Sequence, residues 1–216
     1  MKISERLITI ASFINKDAFV MDVGADHGLL EKFLFENSKI KKIVAVENKE
    51  GPYNILKNNL LGYDVTILYS DGIKDITDDI NTIVIAGMGG NLICSILKND
   101  ENKLENVDNI IVDAHTDIEI VRREICHLGY FIEKEKIVYE NKKYYFVIKF
   151  VKGSKQIDDL EYEFGVNIVK DKLFEQYRND QINKLELILK RKNRKDISQK
   201  LERLKSLWIK MNYLEH

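Results

Sequence analysis

The sequence predicts an α/β fold in which helices flank a mostly parallel sheet of seven strands, the last two forming a closing antiparallel hairpin. Three observations support this prediction. A buried strand breaks at a glycine turn and resumes as a helix within residues 19–36, apolar strands alternate with amphipathic helical segments up to residue 151, and two apolar stripes at helical spacing follow residue 153. Alternating strands and helices indicate βαβ units, whereas consecutive helical stripes indicate a helical hairpin.

The composition is that of an ordinary globular protein. The 216 residues are 44% hydrophobic and 32% charged, which excludes a disordered chain and suits one domain with an appendage. No apolar run approaches the roughly 20 residues of a membrane-spanning helix, and Met1–Arg6 does not resemble a signal peptide. Cys94 and Cys126 lie in predicted helices, so we expect reduced thiols in a cytoplasmic protein, with neither a disulfide framework nor a metal site.

The first predicted helix spans Ile3–Asn15 and carries Arg6 beside its apolar face. This arginine is either a solvated surface charge or a residue that reaches a ligand pocket.

The glycine turn after the first strand, Phe19–Val23, is the most informative segment. The strand is apolar except for Asp22, breaks at Gly24 and leads into a helix after Gly28. A turn of this kind presents the N–H groups of the helix N-terminus to a ligand. The pattern Asp-x-Gly-x-Asp-x-Gly lacks the glycine spacing of a dinucleotide fold, and Asp22 and Asp26 would repel a pyrophosphate. It therefore favours a cationic or zwitterionic ligand such as S-adenosylmethionine.

Acidic residues end the next two predicted strands, Ile43–Glu47 and Val65–Tyr69, which flank a helix from about Pro52 to Leu61. Glu47 follows the glycine turn at about the two-dozen-residue spacing at which nucleotide-binding folds place a ribose-binding carboxylate. Its alternative role is to cap the next element. Asp71 could accept a hydrogen bond from an adenine amine, although Asp-Gly is also a common turn.

A second glycine-rich segment follows the strand that begins at Thr82. The strand runs directly into Gly87–Gly90, before a helix predicted over Asn91–Lys98. Three glycines in four residues cost conformational entropy, so we expect backbone to pass close to a ligand here. Close packing of the helix on the sheet is the alternative.

The remaining elements of the first domain are a strand at Asn109–Ala114, a helix at Asp117–Leu128 and a hairpin formed by Phe131–Tyr139 and Tyr144–Val151. His115 follows the first of these strands and is expected to face the site. A hydrogen-bonded structural histidine is the alternative.

The C-terminal part is expected to be an antiparallel helical hairpin. Residues 178–210 carry 11 Lys and Arg against 4 Asp and Glu, a net charge of +7 that leaves −8 for the remainder of a chain of net −1. An excess of one sign attracts polyanions, so we expect nucleic acid as the partner, with a merely solvated basic face as the alternative. The predicted domains are residues 1–153 and 154–213, and residues 214–216 resemble the start of an expression tag.

Four motifs together resemble those of one family: Asp22–Leu30, Glu47 with Gly51-Pro52, Asp71-Gly72 and Ile85–Gly90. They are similar to the motifs of the bacterial TrmK-type tRNA (adenine-N1)-methyltransferases, over the whole chain. The resemblance implies a Rossmann-like class I methyltransferase domain followed by a C-terminal coiled coil. It also implies S-adenosyl-L-methionine as the cofactor and N1 of adenine 22 in tRNA as the methyl acceptor.

The resemblance also implies roles for individual residues. The turn after the first strand would hold the methionine end of the cofactor, Glu47 the ribose and Asp71 the adenine. We expect Asp26, His27 and His115 to orient the target base. The expected cofactor-binding residues are Arg6, Asp22, Gly24, Ala25, Asp26, His27, Gly28, Glu47, Asn48, Asp71, Gly72, Ala86, Gly87, Met88 and Gly89. Relatives tend to have Gln-Pro-Asn beside the target base, where this chain has Asp113-Ala114-His115.

Adenine N1 has an in-plane lone pair, so positioning an unstacked base against the methyl group suffices and no general base is obligatory. Two alternatives remain open: a non-catalytic RNA-binding module built on the same domain, and a methyltransferase with a substrate other than tRNA. We expect a monomer that binds tRNA but neither a membrane nor a metal.

Overall fold

The computed structural model describes residues 3–37, 40–166, 168, 171–191 and 194–213, without the side chains of residues 208–213. The possible tag at 214–216 lies outside these residues. The strands are β1 (Ala18–Val23), β2 (Ile40–Glu47), β3 (Thr66–Tyr69), β4 (Thr82–Met88), β5 (Asn109–Ala114), β6 (Tyr130–Glu140) and β7 (Lys143–Lys152). The helices are α1 (Glu5–Phe13), α2 (Leu29–Glu36), α3 (Glu50–Asn59), α4 (Gly90–Asn99), α5 (Ile118–His127), α6 (Asp159–Phe164), α7 (Lys172–Arg191) and α8 (Lys195–Tyr213), with a 3-10 turn at Glu101–Lys103.

The seven strands form one sheet in the order β3-β2-β1-β4-β5-β7-β6, which confirms the predicted architecture. β1 to β5 are parallel, and β7 runs antiparallel to both β5 and β6. The strand order reverses at β1, whose Asp22 lies opposite Ala45 of β2 and Val84 of β4. In open sheets of this kind ligands bind at the carboxyl ends of the strands, beside such a reversal.

Apolar side chains fill both faces of the sheet. On one face the strands pack against α4 and α5, through residues such as Met21, Ile93 and Ile125. On the other face they pack against α1 and α2, through residues such as Ile10 and Leu34. Strand residues alternate between the faces. Asp22 lies two residues after Val20 on β1 and therefore points to the same face, the one covered by α1 and α2.

Several elements differ from their predicted bounds. The first helix is shorter than Ile3–Asn15 because the Ser4 hydroxyl accepts a hydrogen bond from the Leu7 N–H and caps it. β4 includes Gly87 and Met88, with an irregular register against β5. The short helix α6, which the sequence analysis missed, begins with a capping box between Asp158 and Glu161.

The C-terminal helices α7 and α8 contact each other and pack on the outer hairpin of the sheet. Tyr177 of α7 lies edge-on to Phe146, with ring centroids 5.1 Å apart, and the Tyr144 hydroxyl donates to Asp180 at 2.6 Å. The predicted apolar stripes are therefore packing surfaces. Arg178, which the sequence analysis counted as part of the basic segment, is buried at 7% exposure and adds nothing to the basic surface.

A buried ion pair joins the sheet to the segment that precedes α7. Arg122 Nε donates to Glu135 Oε1 at 2.7 Å, and Arg122 Nη1 donates to the carbonyls of Tyr162 and Glu163 at 2.9 and 3.1 Å. Glu135 Oε2 accepts from the Val166 N–H at 2.6 Å. Both charges are therefore satisfied although their side chains are at most 1% exposed.

Cys94 lies in α4 and is buried, whereas Cys126 lies in α5 and is only partly buried; neither is in a disulfide. Within the described part of the chain, no helix is both long and apolar enough to cross a bilayer. The same residues contain no cluster of three or more His, Cys, Asp and Glu arranged to hold a metal ion.

Candidate active site

A cavity of about 600 Å³ opens at the carboxyl ends of β1 to β4. It is lined by most of the residues that the sequence analysis assigned to the cofactor, and by His115. Those lining residues are Arg6, Asp22, Gly24, Ala25, Asp26, His27, Glu47, Asn48, Asp71, Gly72, Ala86, Gly87 and Met88. Gly28 and Gly89 are not among the residues that line it. Gly28 instead caps α2, where a Cβ would meet Leu60 at 2.9 Å, and Gly89 caps α4.

The glycine turn brings bare backbone to the cavity wall. Gly24 has φ +78°, a left-handed conformation that a residue with a Cβ adopts only at a cost. Its N–H donates to the Val46 carbonyl at 2.8 Å, which ties the turn to β2. A Cβ at this position would lie 2.3 Å from Met88 Cε, the end of a flexible side chain that would have to move aside.

Asp22 at the end of β1 contacts a second carboxyl group, that of Glu31 in the first turn of α2. Asp22 is 6% exposed and Glu31 is fully buried. Burial raises the pKa of Asp22 to about 6, opposed by the hydrogen bond with Glu31. Burial, followed by the charge of Asp22, raises the pKa of Glu31 well above its usual range. Burial of the two carboxyl groups side by side therefore disfavours ionisation of both at once.

The ends of β2 and β3 supply two further carboxylates. Glu47 Oε1 accepts the N–H groups of Asn48 and Lys49 at 3.1 and 3.2 Å, which fixes the carboxylate while Oε2 receives no hydrogen bond from the described residues. Asp71 accepts from the Asn48 side chain at 3.0 Å and from Lys74 at 3.2 Å, and these bonds lower the pKa of Asp71. The pair Asn48–Asp71 therefore links the second strand to the third across the cavity wall.

On the opposite side, α1 and β5 form a charged cluster. Arg6 Nη1 donates to Asp113 Oδ2 at 2.8 Å and lies 3.2 Å from His115 Nε2. The Arg6 guanidinium also lies over the Tyr145 ring, 5.0 Å from its centroid. Burial raises the pKa of Asp113, and the Arg6 charge opposes that shift. Arg6 is thus held by an ion pair and reaches the pocket, which excludes the solvated-charge alternative.

The contact with Arg6 determines which ring nitrogen of His115 carries the proton. A guanidinium has only donors, so a His115 Nε2 that bonds to Arg6 must accept, and the ring proton then resides on Nδ1. In that tautomer the Nδ1–H is available to a ligand. Its ring also lies edge-on to Tyr145, with centroids 5.6 Å apart.

Asp26 and His27 are placed differently from His115. Both lie on the exposed β1–α2 turn, with side chains 72% and 56% exposed and the His27 Nε2 to Asp26 Oδ1 distance at 3.7 Å. They line the cavity, but no packing fixes their side chains.

Sequence reasoning missed several residues of the site. Glu31 was hidden because a glutamate in the first turn of a helix is ordinarily a solvated residue near the positive end of the dipole. Leu92 and Ile96, one turn apart on α4, line the cavity although the sequence analysis assigned them no role. Tyr145 lies 139 positions after Arg6, and no local pattern connects them.

The basic side chains of the C-terminal hairpin fall into two groups. Three of them are paired with acids: Lys205 with Glu186, Arg203 with Glu163 and Arg194 with Asp196. Six others are exposed and form none of the ion pairs found within the described chain: Lys172, Lys184, Lys190, Arg191, Lys195 and Lys200.

Comparison with known proteins places this site in a family. Residues 3–148 match the family model of the methyltransferase domain. The tRNA (adenine(22)-N(1))-methyltransferase of Bacillus subtilis (strain 168) is 30% identical over 153 residues, 68% of this chain. The aligned part spans 64% of the length of that relative.

Two solved structures extend the comparison to the whole fold. Sp1610 of Streptococcus pneumoniae, in complex with S-adenosyl-L-methionine, superposes with a TM-score of 0.89 at 30% identity, covering 95% of this chain and 99% of that one. M. capricolum TrmK, in complex with the natural cofactor product S-adenosyl-homocysteine, gives a TM-score of 0.86 at 28% identity, over 96% and 98% of the two chains. The chain therefore belongs to the methyltransferase domain family and, within it, to the TrmK-type tRNA (adenine(22)-N1)-methyltransferase family.

Proposed function

We propose that the protein transfers a methyl group from S-adenosyl-L-methionine to N1 of an adenine in tRNA, at position 22 as in the name of its Bacillus subtilis relative. The observation that carries the proposal is the ring of carboxylates at the ends of three adjacent strands, Asp22, Glu47 and Asp71, around one cavity. A related chain of 30% identity was solved with the same cofactor.

The residues that line the cavity fit this cofactor. The sulfonium and α-ammonium are cationic and suit Asp22, the free oxygen of Glu47 suits the ribose hydroxyls, and Asp71 suits the adenine amine. Gly24 and Gly72 leave bare backbone in the cavity lining, and Ala25 adds only a methyl group. The cofactor supplies an electrophilic methyl group, and the protein supplies the position of the acceptor.

The acceptor base would lie against the Arg6–His115 side of the cavity. The lone pair of adenine N1 forms the new N–C bond as the S–CH₃ bond breaks, so no proton has to leave first and no general base is obligatory. His115 can donate its Nδ1–H to a ring nitrogen of the flipped base. Asp26 and His27 on the exposed β1–α2 turn can contact the base from the cavity mouth, and the Tyr145 ring packs edge-on against His115.

The exposed lysines and arginines of α7 and α8 would bind the tRNA backbone. On this proposal residues 1–153 form the catalytic domain and residues 154–213 the tRNA-binding domain, in a monomer that acts in the cytoplasm. Because α7 packs on the outer hairpin of the sheet, the basic helices are attached directly to the domain that carries the cavity.

The test is methyl transfer from labelled S-adenosylmethionine to unmodified tRNA, with nucleoside analysis of the product. We expect N1-methyladenosine from a transcript with adenine at position 22 and none from the matched transcript with guanine there. Equal methylation of both transcripts would contradict the position. Cofactor binding without transfer to any tRNA would favour another acceptor, and the absence of both would favour a non-catalytic RNA-binding module.

A further inference from the structure

The Asp22–Glu31 pair is an unusual feature for a cofactor pocket, because only one of its members faces the cavity. Asp22 lines the cavity, whereas Glu31 lies behind it on α2 and is fully buried. Neither oxygen of the Glu31 carboxyl accepts a well-formed hydrogen bond from the described residues. The side chain next to the Glu31 carboxyl is that of Asp22, and the Glu31 backbone N–H also lies near it.

Two buried carboxyl groups in contact cannot both be ionised without a cation beside them. The described residues place no lysine or arginine on either group, because Arg6, the basic residue of α1 that lines the cavity, is bonded to Asp113 and His115. A proton between the carboxyls satisfies both: the protonated one donates to the other. The pair then carries a single negative charge that the two carboxyls share through the proton, and Asp22 offers a full charge to the cavity only when that proton leaves.

A cation bound at Asp22 changes which protonation state of the carboxyl pair is favoured. The empty pair with one proton has a net charge of −1, and the doubly ionised pair with one ammonium beside it also has a net charge of −1. Replacement of the proton by an ammonium therefore leaves the buried net charge unchanged. An increase in buried net charge is what makes the burial of ions costly. The released proton goes to solvent.

We propose that Glu31 is a positioning residue for the cofactor: it shares one proton with Asp22 in the empty site, and binding of the cofactor's α-ammonium at Asp22 displaces that proton. Glu31 acts through Asp22 and does not touch the cofactor. The inference rests on the proposed placement of the methionine end at Asp22. It adds a residue that the family motifs do not include and a proton to the binding equilibrium.

Other titratable and charged groups also line the cavity, and a test must separate them from the pair. They are His27 on the β1–α2 turn and His115 after β5, together with the fixed charges of Arg6, Asp26, Glu47, Lys49 and Asp71. The cofactor's own amine titrates as well. A comparison between the wild type and Glu31→Gln at each pH removes all of these contributions, because the variant retains every one of them.

Glu31→Gln is the informative variant because its amide donates to Asp22 as a protonated Glu31 does, but cannot lose that proton. In the wild type, the affinity for S-adenosylmethionine should rise by about tenfold from pH 6 to pH 8 beyond any rise in the variant, since the proton to be displaced becomes easier to remove. Methylthioadenosine, which lacks the ammonium, should show no such difference. Glu36→Gln, at the exposed end of the same helix, is the matched control and should behave as wild type.

Denaturation without ligand provides an independent measurement. The folded pair retains a proton that the unfolded chain releases above about pH 4, so the stability of the wild type relative to Glu31→Gln should fall as pH rises through the folded-state pKa. If Glu31→Gln fails to fold, Glu31→Leu, apolar and of similar volume, should give the same flat profile.

Three results would overturn the proposal. Parallel stability profiles of wild type and Glu31→Gln would mean that the pair holds no proton. Diverging stability profiles with parallel affinity profiles would mean that the ammonium does not displace the proton, while the methyltransferase function would stand on the transfer assay. Wild-type protein that binds no S-adenosylmethionine at any pH would refute both the exchange and the proposed function.

Discussion

The buried Arg122–Glu135 pair allows a quantitative prediction about stability. Glu135→Ala removes one of two charges that are at most 1% exposed, leaves the Arg122 guanidinium with only two carbonyl partners, and removes the acceptor of the Val166 N–H. Breaking a buried pair from one side costs about 3–5 kcal/mol, because the remaining charge stays desolvated. For a chain of this size such a loss lowers the melting temperature by roughly 10 °C.

The assay is urea denaturation followed by circular dichroism, with the wild type, Glu135→Ala and Lys136→Ala in parallel. Lys136 is the exposed neighbour on the same strand, and its replacement should change the free energy of unfolding by no more than about 0.5 kcal/mol. The double variant Arg122→Met/Glu135→Leu should recover most of the loss, since it removes both charges together. A Glu135→Ala variant destabilised by less than about 1 kcal/mol would refute the argument that this pair holds the segment before α7 against the sheet.

Further predictions concern the site. Gly24→Ala should cost about 1–2 kcal/mol of stability because of its positive φ, and should weaken cofactor binding measured by calorimetry; unchanged affinity would contradict the close approach of backbone to the ligand. Glu47→Gln keeps an acceptor for its backbone partners but loses the carboxylate, so the Kd for S-adenosylmethionine should rise about tenfold with little change in melting temperature. His115→Ala should lower kcat by about 10- to 100-fold and leave the KM for the cofactor unchanged, and a change confined to the cofactor KM would place His115 elsewhere. The double variant Lys190→Gln/Arg191→Gln should raise the KM for tRNA and reduce the salt dependence of binding by about one unit per residue, with kcat at saturation unchanged.

The strands and their order of appearance were predictable because each leaves a local pattern. β5, for example, was predicted with its observed bounds, Asn109–Ala114, because six consecutive buried positions are flanked by polar turns. The positions of the carboxylates were predictable as well, because residues that end or follow a parallel strand lie at the carboxyl edge of the sheet.

The rest of the site depends on contacts that no local pattern encodes. Arg6 bonds to Asp113 across 107 positions, and Glu31 is buried because α2 packs its first turn against the end of β1. A glutamate at that helical position is ordinarily exposed, so only tertiary packing could identify it. The short helix α6 was missed because six residues are too few to produce a clear helical period.

The position of α1 has a consequence for how the protein is made. This helix precedes every strand, yet it packs on β5, β6 and β7, and Lys149 of β7 donates to Asn15 just beyond its end at 2.8 Å. During synthesis Arg6 leaves the ribosome early but has no ion-pair partner until Asp113 has followed, and α1 has no complete surface to pack on until residue 152 has emerged. Contacts of such long range form slowly, because the loops that they close are long. A nascent chain that ends within β6 should therefore lack a stable cavity wall at Arg6. Binding of labelled cofactor to stalled ribosome complexes of increasing chain length would show the length at which the domain first closes.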